Sequence, residues 1–88
     1  MPKYFIDTDD GNTRRQDEVE YDLADDYAAR REAQYALPGM VQENILDSEY
    51  RIFIATVRNE RGEAVYTATL TLEGTWHGPA GERRSPKR

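Results

Sequence analysis

The 88-residue chain contains no cysteine. Disulfides, thiolate nucleophiles and cysteine-held metals are therefore excluded together, and the composition argues against a small secreted scaffold. It has one histidine, His77, and two serines, Ser48 and Ser85, neither within a G-x-S-x-G setting. No glycine-rich loop suited to phosphate is present. A mean hydropathy of -0.92 leaves no run near the roughly 18 apolar residues of a membrane span. The opening Met1-Pro2-Lys3-Tyr4-Phe5-Ile6-Asp7 meets acid too soon for a signal peptide. These absences predict a cytoplasmic protein that is not an enzyme and binds no cofactor.

Charge is plentiful, but uneven. Residues 1–76 hold 8 Lys/Arg against 16 Asp/Glu, and residues 77–88 hold 4 against 1. An acidic body lacks the clustered cations that phosphate binding needs, so nucleic acid is not the expected partner. Segment 77–88 has no apolar period and reads as a disordered basic tail. Residues 1–76 are expected to form one domain. Chains this short bury only about 60% of their unfolded surface and often gain stability by self-association.

Lys3 to Thr8 is rich in strand formers, and Asp9-Asp10-Gly11-Asn12 is a hairpin turn signal, because glycine takes positive φ without a Cβ clash. Val19, Tyr21 and Leu23 alternate with acids on the return segment. Asp25 stands at a helix N-cap position, with Asp22 as a rival. A stripe of Ala29, Ala33, Ala36, Leu37, Met40, Val41 and Ile45 follows at spacings of 3 and 4. Pro38-Gly39 falls within that stripe and predicts a kink in one helix rather than two helices.

Asn59-Glu60-Arg61-Gly62 reads as a type I turn closed by a glycine bulge. Pairing Asn59 with Glu63 carries Thr56 opposite Tyr66, Ile54 opposite Ala68 and Ile52 opposite Leu70. That register makes Ile54 and Leu70 core residues beneath Leu37 and Val41. It sends Phe53, Val57 and Val65 to the other face, as the expected interface of a homodimer or of another protein partner. Pairing of Tyr4–Ile6 across a two-fold axis is a second route to the dimer. The expected class is α+β, a two-layer β-β-α-β-β fold with an antiparallel sheet and the kinked helix on one face.

Asp7, Asp9 and Glu18 occupy positions 1, 3 and 12 of a calcium-loop register. Gly11 at position 5, Asn12 in place of the glycine at 6, and Arg14 and Arg15 within the loop all break the pattern. A solvated hairpin tip is the favoured reading, with a metal or small-ligand site there as the alternative. His77, beside the tail, has nothing to hold it as a general base.

The segments Met1-Pro2-Lys3-Tyr4-Phe5-Ile6-Asp7, Asp10-Gly11, Ala28-Ala29-Arg30-Arg31-Glu32-Ala33, Ala36-Leu37-Pro38-Gly39-Met40 and Arg58-Asn59-Glu60-Arg61-Gly62 occur in an order that resembles a family of short uncharacterised bacterial proteins. Those proteins are common in soil alphaproteobacteria. The resemblance covers roughly residues 1–75 and implies a bacterial origin and this fold. It implies no functional residue. The sequence thus predicts a non-enzymatic interaction or regulatory module that self-associates.

Overall fold

A computed structural model describes residues 2–16, 19–43 and 49–78. In chain order the elements are β1 (Lys3–Asp9), β2 (Arg14–Arg15), β3 (Tyr21–Asp22), α1 (Asp26–Glu43), β4 (Tyr50–Asn59) and β5 (Ala64–Glu73). All pairings are antiparallel, in the order β2-β1-β4-β5, with β3 also paired to β1. The expected α+β class and β-β-α-β-β order hold, with the return strand of the first hairpin divided into β2 and β3.

The first turn forms because short acids satisfy its backbone. Asp9 Oδ1 accepts from the N–H of Gly11, and Asp10 Oδ1 accepts from those of Asn12 and Thr13. The Thr13 and Asn12 donors hold the Asp10 carboxyl below the usual carboxylate range. Arg51 pins this turn from β4, its Nε donating to the Asp10 carbonyl at 2.8 Å. Gly11 has φ +89°, and a Cβ there would lie 3.0 Å from Arg51 Nε and 3.1 Å from the Ile52 carbonyl oxygen. Gly11→Ala is therefore expected to cost about 1–2 kcal/mol through backbone strain alone. An unchanged urea midpoint would show that the turn relaxes freely.

Asp25 is the helix cap, its Oδ1 accepting from the Ala28 N–H at 2.9 Å; such a bond is worth about 1 kcal/mol. The helix continues through Pro38 to Glu43 as one element. Ile45 lies outside the described residues. Ala29, Ala33 and Leu37, four residues apart, are its buried stripe.

The core joins that stripe to Tyr4 and Ile6 of β1 and to Phe53, Ala55 and Val57 of β4, with Met40, Val41, Tyr66 and Ala68 partly buried against it. This corrects the face assignment of β4. The turn forms as expected, with the Asn59 N–H donating to the Glu63 carbonyl and Gly62 at φ +82°. Arg58 then pairs with Ala64, but Val57 pairs with Tyr66. Val65 is thus an extra residue, a β-bulge beyond the turn. One inserted residue moves every later pair by one and exchanges the faces of β4 relative to β5. Phe53 and Val57 are consequently fully buried under the helix and are not available as an interface, while Ile54 moves to the uncovered face. Leu70 shares a side with Phe53 but stays 43% exposed. Of the expected core quartet, the helix half stands and the sheet half does not. The Tyr4–Ile6 edge route also fails, because β1 is an interior strand.

Tyr4 ties β1 to the helix start. Its ring is buried and its hydroxyl donates to Asp26 Oδ1 at 2.6 Å. That hydrogen bond, followed by burial, pushes the phenol up to about 12. An unfolded tyrosine ionises near pH 10, so the neutral phenol favours the folded state. This contribution is fully present below about pH 10 and is lost as pH rises through about 12. In a phenolate absorbance titration a transition near pH 12 is expected from Tyr4, and Asp26→Asn should bring it down. A titration that Asp26→Asn leaves unchanged would contradict the contact.

Candidate functional site

Among the described residues the only helix, α1, covers one face of the sheet. The strand register identifies the residues on the other. Phe5 pairs with Arg58, Asp7 with Thr56 and Asp9 with Ile54, while Ile6 and Val57 pair on the helix side. Across β4, Ile52, Ile54 and Thr56 pair with Thr71, Thr69 and Thr67. The open face is therefore an apolar group of Phe5, Ile52 and Ile54, all half-buried, bordered by a threonine row on β5. The hydroxyls of Thr67 and Thr56 meet at 3.4 Å.

An ion pair crosses this face. Arg58 Nε donates to Asp7 Oδ2 at 2.7 Å and Arg58 Nη2 to Asp7 Oδ1 at 3.1 Å, a fork-on-fork geometry. The guanidinium carbon lies 5.0 Å from the centre of the Phe5 ring. The two side chains are only 20% and 13% exposed. Two opposite charges thus neutralise each other within the face, with Phe5 and Thr56 beside them and Asp9 and Ile54 further along. A depression of ≈ 230 Å³ beside the pair is lined by Asp7, Thr8, Asp9, Arg14, Ile54 and Thr56.

On the helix side an open groove of ≈ 420 Å³ runs between α1 and the first hairpin, lined by Ile6, Thr8, Arg15, Tyr21, Glu32, Tyr35 and Ala36. Its polar groups come from β1, β2, β3 and α1. Among the described residues, no three metal-type ligands come together.

The residues singled out in the sequence are dispersed. Asp7 and Asp9 do share the open face, but Asp7 is held by Arg58. Glu18 lies outside the described residues. Val65 is 36% exposed at the bulge, and His77 is exposed beyond β5. The pairing of Asp7 with Arg58 was not foreseen. An acid alternating with Phe5 on β1 and an arginine closing β4 are the only hints, and they become a pair only once β1 and β4 are neighbours.

Among the described residues, an antiparallel sheet with a helix packed on one face defines an α+β domain. A family model, the domain of unknown function DUF6894, matches residues 3–71, and the chain belongs to that family. No curated protein and no solved structure matches the chain.

Proposed function

We propose that this chain is a non-enzymatic interaction module of the bacterial cytoplasm, which self-associates and holds a protein partner on its open sheet face. The observation that carries the reading is the apolar group Phe5, Ile52 and Ile54, set around a charge pair that is already neutralised within the chain. Asp7 and Arg58 can be covered there without either losing its partner charge. Apolar side chains on an uncovered sheet face with a polar border are a recurrent feature of docking sites. The absence of cysteine and the family resemblance support the cellular setting. The alternative, a metal or small ligand at the first hairpin, loses support because Asp7 is engaged by Arg58.

Two measurements test this. Light scattering at high micromolar concentration should give a mass above the 10.2 kDa of one chain; a monomer mass would refute self-association. Capture from the host should retain one polypeptide on the wild type and lose it on an Ile52→Lys/Ile54→Lys variant of unchanged circular dichroism. Retention indifferent to those lysines would refute the open face as the docking surface.

A further inference from the structure

We propose that two copies of this chain join through β5, antiparallel across a two-fold axis, to make one continuous sheet. The inference rests on the self-association proposed above and names its route. The two sheet edges differ sharply. One consists of β2 and β3, two residues each, bearing Arg14, Arg15 and Asp22. The other is β5, ten residues long, with no charged side chain from Ala64 through Leu72 and no proline. Among the described residues, no strand pairs with its outer side. Folded proteins blunt exposed edges with charges, prolines, short strands or bulges. The first edge carries such devices, whereas β5 has only the bulge at its start.

A second copy is the occupant that fits. An antiparallel strand can be its own partner, exchanging backbone hydrogen bonds about a two-fold axis. The neutral stretch permits registers centred on Thr67 or Thr69. A register centred on Ala68 would set Glu63 opposite Glu73 and is disfavoured by like charge. With Thr69 on the axis, Ala68 of one copy lies opposite Leu70 of the other. Leu70, 43% exposed in the single chain, then gains an apolar neighbour. Both helices lie on the same side, and the two open faces merge into one.

The absence of native cysteine makes introduced thiols clean reporters. Full-length Thr67→Cys, Thr69→Cys and Ile54→Cys are oxidised at low micromolar concentration and run without reductant. A linked dimer from Thr67→Cys or Thr69→Cys, with none from Ile54→Cys, is the expected result. Thr67→Lys/Thr69→Lys, altering only exposed positions, should weaken dimerisation at least tenfold while the helical circular dichroism persists. A wild-type dimer with no thiol link along β5, or one indifferent to the two lysines, overturns the edge route and leaves self-association standing. A monomeric wild type overturns both.

Discussion

Phe53→Ala is expected to destabilise the domain by about 3–5 kcal/mol, the range for deleting a buried aromatic side chain. Phe53 is fully buried and is, with Val57, one of the two largest side chains in that state. The core it joins is rich in alanine, and Ala29, Ala33 and Ala55 have no side-chain length with which to fill the space left behind. A small domain has about 5–15 kcal/mol in total, so this one change threatens folding. Ile54→Ala, one residue along on the open face, should cost only about 1 kcal/mol in the single chain. Urea midpoints of the two variants compare the faces directly. Equal losses would contradict the register in which Val57 pairs with Tyr66.

The second large effect is expected at the ion pair. Asp7→Ala removes both carboxylate acceptors that β1 offers the Arg58 guanidinium. Breaking a wholly buried pair costs 3–5 kcal/mol; with Arg58 still 20% exposed, about 2–4 kcal/mol is expected here. Replacing both partners, as Asp7→Leu/Arg58→Met, should recover most of that loss, because an apolar pair carries no desolvation penalty. A double-mutant cycle in urea isolates the coupling. Purely additive single effects would show that the fork contributes nothing of its own.

Much of the local structure was legible in the sequence because short-range chemistry decides it. Asp25 caps the helix, and Gly11 and Gly62 take the positive φ their turns require. The alanine stripe faces the sheet. The faces of β4 were not legible, for two reasons. Ile52, Ile54 and Thr56 are about as strand-like and apolar as Phe53, Ala55 and Val57, so alternation alone cannot rank the faces. The deciding feature is the bulge at Val65, and a valine at the start of a strand of β-formers carries no mark of being an extra residue. The open-face ion pair was hidden for a third reason. Asp7 and Arg58 lie 51 residues apart, and only the strand order brings them together.

The division of the first hairpin's return strand into β2 and β3 bears on how far strands of this protein can stack. Fibrous growth by strand addition requires two cohesive edges on every subunit, so that each arrival offers a fresh template. Here one edge is ten residues long, and the other is broken into two pieces of two residues. Any pairing of β5 with β5 consumes the one long template among the described residues of both molecules. What remains outward on each side is the interrupted edge, so strand addition terminates at two copies and polymerisation has no propagating end.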